Sequence, residues 1–94
     1  MFIELTIIYP FKSSHKKILS LLEQHKEKLS TERDCLEFNI YNDTYSDKII
    51  HVIKWTSKDS MKLIIDNKTH KKIIEEMLNL QKFPAEVYRL EEHS

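Results

Sequence analysis

The chain has 94 residues, the size of one small domain, and its 15 Lys and Arg residues balance its 15 Asp and Glu residues, so no net charge draws it toward nucleic acid or anionic lipid. It contains no glycine, which excludes the glycine-rich loops that hold phosphates and dinucleotides. Its single cysteine excludes an internal disulfide and a cysteine-based zinc cluster.

The first two predicted elements are a strand and a helix. Apolar and β-branched residues dominate Phe2–Tyr9, which is followed by Pro10, and this composition predicts a strand. Ser13 and Ser14 are candidate N-caps for a helix over His15–Leu29. The apolar residues that recur at helical spacing in it include Ile18, Leu22 and Leu29.

A β-hairpin is predicted next. Apolar and more polar residues alternate along Cys35–Asn42, which is the period of a strand. The apolar positions of this alternation are Leu36, Phe38 and Ile40. The segment Asp43–Asp47 has the polar composition of a turn, and Lys48–Trp55 is rich in β-branched residues, so it forms the second strand of the hairpin.

Two helices and a strand complete the chain. Ser57 is a candidate N-cap for a short helix, whose apolar residues are Met61, Ile64 and Ile65. Residues 66–68 form a polar break, and Thr69 is the predicted N-cap of a third helix. Pro84 begins a final strand.

The element order β-α-β-β-α-α-β predicts an α+β fold, a ferredoxin-like sandwich in which one four-stranded antiparallel sheet carries its helices on one face. Both faces of the strands are apolar, however. In the Lys48–Trp55 strand, Ile49 and Ile53 point to one face while Ile50 and Val52 point to the other. Because helices can cover only one face, we expect a second copy of the chain to cover the other in a homodimer.

Cellular location and macromolecular partners are predicted largely from what the sequence lacks. No apolar run approaches the roughly 20 residues that cross a membrane, and Met1–Glu4 lacks the basic and apolar segments that begin a signal peptide. The central strands do not show the solvent-facing aromatic and basic pairs that bind RNA. We therefore expect a single domain over residues 1–94 in the cytoplasm, with no membrane and no nucleic-acid partner.

The order of several residues allows a comparison with a known family. A Cys-Leu-x-aromatic strand is followed by Asp, a strand ending in Trp-x-Ser, a short helix, a break and a His. The positions are Cys35, Leu36, Phe38, Asp43, Trp55, Ser57 and His70. In this order and spacing the chain resembles the antibiotic biosynthesis monooxygenase (ABM) domain family over nearly its whole length. The resemblance implies a dimeric α/β barrel.

Two functions are compatible with the resemblance. The first is a cofactor-independent monooxygenase, or a related small-molecule enzyme, that acts on an aromatic or quinol-type substrate. The alternative is a noncatalytic dimeric α/β-barrel module that binds a small apolar ligand. The chain departs from the family pattern at Asp34, which replaces a glycine, at Ile53, which replaces an acidic residue, and at Ile64, which replaces a histidine. The departures at Ile53 and Ile64 favour the alternative.

Haem, metal and other cofactors are not expected. The haem-degrading branch of the family uses an asparagine, a tryptophan and a histidine where this chain has Thr6, Ile64 and Glu75. Haem iron would therefore lack its axial ligand. The five histidines do not show the spacing of metal ligands.

The candidate catalytic residue is His51, which lies mid-strand between Ile50 and Val52. A half-buried imidazole there would titrate near neutrality and could accept a proton from a phenol or hydroquinone. The alternative is a histidine of the core or of the subunit interface.

The candidate substrate-binding residues are predicted to line an apolar pocket between the sheet and the two C-terminal helices. They are Thr6, Phe38, Trp55, Ile64 and His70. Thr6 could donate a hydrogen bond to a ligand carbonyl. Trp55 offers a flat wall, although packing of the sheet against the short helix is its more common role. His70 is expected to be solvated near a helix N-terminus.

Overall fold

The computed structural model describes residues 1–93 and contains one antiparallel sheet of four strands with three α-helices. The elements are β1 (Phe2–Pro10), α1 (His15–Leu29), β2 (Cys35–Asn42), β3 (Ile49–Trp55), α2 (Lys58–Ile65), α3 (Lys68–Leu78) and β4 (Gln81–Glu91), with a short 3₁₀ turn at Lys12–Ser14. The strand order is β2-β3-β1-β4. The predicted α+β ferredoxin-like fold is confirmed. None of the helices within residues 1–93 has the length and apolarity needed to cross a membrane.

The core lies between the helices and one face of the sheet, in two apolar clusters. The first joins α1 and α3 to the middle of the sheet and consists of Ile8, Ile18, Leu21, Leu22, Ile49, Ile73 and Met77. The second surrounds α2 and consists of Leu29, Phe38, Ile53, Trp55 and Met61. Trp55 therefore packs the sheet against the short helix, as the sequence suggested.

The other face of the sheet has no helix over it within residues 1–93. It carries apolar side chains from all four strands, among them Ile3, Leu5, Ile7, Tyr41, Ile50, Val52, Tyr88 and Leu90. These side chains are half-buried or exposed in the single chain. The expectation of an uncovered apolar face, which was the basis for predicting a dimer, is therefore met in the single chain.

Two irregularities change the predicted strands. A bulge between Cys35 and Glu37 pairs Cys35 with Trp55 and leaves Leu36 exposed, although the alternation had placed Leu36 with the core residues. The last strand begins at Gln81, before Pro84, where the sequence had predicted its start. A strand can contain this proline because β4 is at the sheet edge and its register shifts there.

Of the predicted N-caps, Ser14 and Ser57 occupy the N-cap positions of α1 and α2, but only Ser57 caps with its side chain. The Ser57 hydroxyl accepts a hydrogen bond from the Ser60 backbone N–H at 3.2 Å, as expected for the N-cap of α2. Ser14 makes no such bond to α1. The cap of α3 is Asn67, whose side-chain oxygen accepts from the Thr69 N–H at 2.8 Å, so the prediction that Thr69 is the cap was wrong.

We expect Asn67→Ala to lower the free energy of unfolding by about 1 kcal/mol, because the first turn of α3 then loses its side-chain acceptor. Thr69→Ala, which removes a hydroxyl of the same turn, is the matched control and should cost less. Urea unfolding of the two variants measures both effects. A larger loss in Thr69→Ala would contradict this assignment of the cap.

Candidate functional site

A cleft of about 530 Å³ opens between the sheet and α3. It forms because β4 is an edge strand whose helix-facing side extends beyond the packed core. Its walls are mostly apolar, and their apolar residues are Ile8, Ile65, Ile74, Met77, Leu78, Pro84, Ala85 and Val87. A few polar side chains lie among them, which is the usual make-up of a small-molecule site.

Three of the six predicted site residues line this cleft: Thr6, His51 and His70. The other three do not. The Phe38 ring stacks on that of His51, with centroids 5.6 Å apart and planes inclined by 13°, and Trp55 lies in the core. Ile64 lines a separate, smaller cavity of about 240 Å³ that also reaches His70. The assignment of these residues to substrate binding remains a prediction.

His51 is more deeply buried than the sequence predicted. Its side chain comes from the helix-facing side of β3 and only 2% of the residue is exposed. Its Nδ1 atom has no hydrogen-bond partner within residues 1–93. Burial, with a smaller contribution from His70, lowers the pKa of His51 to about 4. The expected near-neutral pKa was therefore wrong, because the ring is fully rather than half desolvated. At pH 7 it is neutral and a weak base.

His70 is also buried, although it was expected to be solvated. Its Nδ1 lies 3.0 Å from Nε2 of His25, so a hydrogen bond joins α3 to α1. Burial and then the charge of His70 lower the pKa of His25 to about 3. Burial and then Arg89 lower the pKa of His70. One ring must donate and the other accept, so the pair is intact only while at least one ring is neutral.

A charge pair in the cleft joins β1 to β4. Glu4 and Arg89 are direct cross-strand partners, and the Arg89 Nε donates to Oε2 of Glu4 at 3.3 Å. Only 5% of Glu4 is exposed, while the Arg89 side chain is half exposed. Burial raises the pKa of Glu4, and the charge and hydrogen bond of Arg89 oppose that rise. Both residues line the cleft.

Metal ligation has no support within residues 1–93, where no three His, Cys, Asp or Glu side chains come together in a way that could hold an ion. His25 and His70 form a pair without a third ligand of these types.

Comparison with known proteins gives a clear answer for the fold. No family model matches the sequence, and no curated protein is significantly similar to it. Solved structures do match. One described as an antibiotic biosynthesis monooxygenase has a TM-score of 0.89 at 13% identity, with 100% of both chains covered. Rv0793 from Mycobacterium tuberculosis has a TM-score of 0.92 at 12% identity, covering 99% of this chain and 95% of that one. A conserved protein from Methanosarcina mazei Go1 has a TM-score of 0.87 at 14% identity, covering 99% of this chain and 94% of that one.

The chain has the ABM fold. The resemblance noted in the sequence is confirmed at this level, since the structural match extends over essentially the whole chain. At these identities the likeness establishes the fold alone, so arguments about chemistry rest on the residues of this chain.

Two polar features of this ABM fold were missed in the sequence, and each had a signal. Glu4 shares the helix-facing side of its strand with Thr6 and Ile8, so the alternation predicts that its carboxylate lies next to the core. His25 lies three residues after Leu22 and four before Leu29, which places it on the buried stripe of α1. Their partners, Arg89 and His70, could not be inferred, because they lie 85 and 45 residues away along the chain.

Proposed function

We propose that the protein is a cytoplasmic homodimeric enzyme, a monooxygenase without an added cofactor, that oxidises an aromatic or quinol-type molecule held in the cleft. The observation that carries the proposal is the cleft itself: mostly apolar walls, a volume of about 530 Å³ and a small group of polar side chains. The ABM fold supports it, because a structural neighbour is described as an antibiotic biosynthesis monooxygenase.

The chemistry required of the protein is modest. An electron-rich phenolate can itself pass an electron to dioxygen, so the protein must bind the ring away from water, remove its proton and orient it. Apolar residues of α3 and β4 would hold the ring. Thr6 and the neutral His51 would hydrogen-bond a substrate oxygen, and His70 lines the same cleft.

The dimer is part of the proposal because of the uncovered sheet face. Its apolar side chains come from the two central strands as well as from the edges. A two-fold symmetric pairing of such faces buries them without any further element. The resulting sheet-to-sheet packing is the dimeric α/β barrel that the family resemblance implies.

A noncatalytic module that binds a small apolar ligand is the second candidate. The observation that favours it is the low basicity of His51, whose pKa of about 4 removes the proton acceptor predicted from the sequence. Both candidates use the same cleft. They differ in whether oxygen is consumed when a ring occupies it.

Val87→Trp tests the proposal by filling the cleft. Val87 lies on the helix-facing side of β4 and is 45% exposed, so the larger side chain can enter the cleft without disturbing the packed core. We expect a loss of about 10-fold or more in oxygen uptake with a panel of hydroquinones, because a ring that cannot enter cannot be oriented. An oxygen electrode measures the rate.

Leu63→Trp is the matched control. Leu63 lies on α2, is 74% exposed and does not line the cleft, so this variant should keep the wild-type rate. Equal oxygen uptake by Val87→Trp and wild type would contradict the cleft as the site. If the wild type binds the hydroquinones without consuming oxygen and Val87→Trp does not bind them, the noncatalytic module is the correct function.

A further inference from the structure

The two residues of the Glu4–Arg89 ion pair differ in their exposure to water and in their free hydrogen-bonding groups. Glu4 is almost completely removed from water, and its one side-chain partner within residues 1–93 is the Nε of Arg89. Arg89 is half exposed, and its terminal amino groups donate to no acceptor in the same part of the chain. The guanidinium therefore holds Glu4 with one donor and presents others at the cleft.

The positive charge of Arg89, which pairs with Glu4, can also attract a second anion. A buried carboxylate is stable as an anion only while its counter-ion stays with it. An anionic oxygen that enters the cleft and binds the free guanidinium donors shares the positive charge of Arg89, so Glu4 loses part of its charge compensation in a desolvated place. Glu4 would then bind a proton, because burial favours its neutral form.

No other group lining the cleft is as well placed for this role. The remaining titratable side chains there are His51 on β3 and His70, Lys71 and Glu75 on α3. His51 and His70 are buried and hold protons weakly. Lys71 is a cation, and Glu75 is exposed to water on α3.

We propose that the substrate is a ring with an ionisable hydroxyl group, that Glu4 accepts the hydroxyl proton, and that Arg89 binds the oxyanion that remains. This deepens the proposed function and rests on it for the oxidation that follows. In the step, the O–H bond breaks and its electron pair stays on the oxygen. The proton passes to a carboxylate oxygen of Glu4, so the net charge of the site does not change. No oxidant takes part in this step.

The proposal predicts proton uptake when a preformed phenolate binds. The probe is 2-chloro-4-nitrophenol, which is ionised at neutral pH and whose phenolate absorbs visible light. Its binding to the wild-type protein should take up about one proton per site, as linkage requires when Glu4 becomes protonated. Isothermal titration in two buffers of different ionisation enthalpy measures this uptake. The visible band should persist, which shows that the proton is not on the probe.

Two variants separate the roles. Glu4→Gln keeps the shape of the side chain and an acceptor for Arg89 but cannot take a proton, so uptake should disappear while the probe still binds. Arg89→Met should weaken phenolate binding by about 10-fold or more, because a charge-assisted hydrogen bond is lost. The matched controls are Glu76→Gln and Lys72→Met, exposed α3 residues outside the cleft, which should behave as wild type.

Several outcomes would overturn the assignment: no binding of the probe, binding without proton uptake, uptake that persists in Glu4→Gln, or uptake accompanied by loss of the visible band. The wild-type result does not depend on how well a variant folds. A failure of this assignment can also be distinguished from a failure of the proposed function. Proton uptake without oxygen consumption would leave the recognition of the hydroxyl intact and remove only the oxidation.

Discussion

Acidification from about pH 7 to about pH 5 is expected to lower the free energy of unfolding by about 4 kcal/mol, because His25 and His51 are buried in their neutral forms. Their pKa values in the folded protein are about 3 and about 4, below the ordinary 6.5. The unfolded chain therefore binds protons that the folded chain excludes. A domain of this size has on the order of 5–15 kcal/mol to lose.

The direction of the effect follows from these pKa values. Above the unfolded pKa of 6.5, protonation of these histidines costs the folded state no stability. The free energy of unfolding decreases as the pH falls from there toward the folded pKa values of about 3 and about 4. Each histidine contributes about 2 kcal/mol to the loss at about pH 5. The raised pKa of Glu4 acts in the opposite direction, since protonation of that buried carboxyl favours the folded state at lower pH.

Urea unfolding at the two pH values, at one fixed protein concentration, measures the difference. In His25→Gln the difference should shrink by about 2 kcal/mol, because the new side chain can bond to His70 but cannot titrate. His93→Gln, which removes an exposed histidine, is the matched control and should keep the wild-type difference. Equal stability of the wild type at both pH values would contradict the claim that His25 and His51 are buried in their neutral forms.

Ile50→Lys is expected to dissociate the proposed dimer. Ile50 lies on a central strand, on the face that no helix covers. The change removes apolar burial of about 2 kcal/mol and places an ammonium group in the interface, and two-fold symmetry applies both losses twice. The dissociation constant should therefore rise by about 10³-fold or more. Light scattering should report a mass near 11.3 kDa in place of twice that value.

Leu63→Lys is the control for the added charge, because Leu63 is exposed on α2, on the opposite side of the sheet from this face. It should remain dimeric. A wild-type protein that is monomeric at micromolar concentration would contradict the sheet-to-sheet dimer. So would an Ile50→Lys variant that keeps the wild-type mass while remaining folded by circular dichroism.

The sequence by itself determined the element order and the sheet faces, because these depend on local periodicity. Alternation in β3 placed His51 and Trp55 on one shared face of the strand, and the structure shows that this face is the helix-facing one. The α1 stripe likewise contains Ile18, Leu22 and Leu29 as predicted. Such patterns indicate which residues of an element share a face, and they can be read from the residues of that element alone.

Only the tertiary structure decided which polar groups meet and how strongly they bind protons. The pairs Glu4–Arg89 and His25–His70 join segments that are far apart in the chain, so no local pattern contains them. The bulge that exposes Leu36 depends on the register of two strands rather than on the residues of one. The pKa of His51 depends on complete desolvation by packed neighbours, and for this reason a histidine that looked like a neutral-pH base is a weak one.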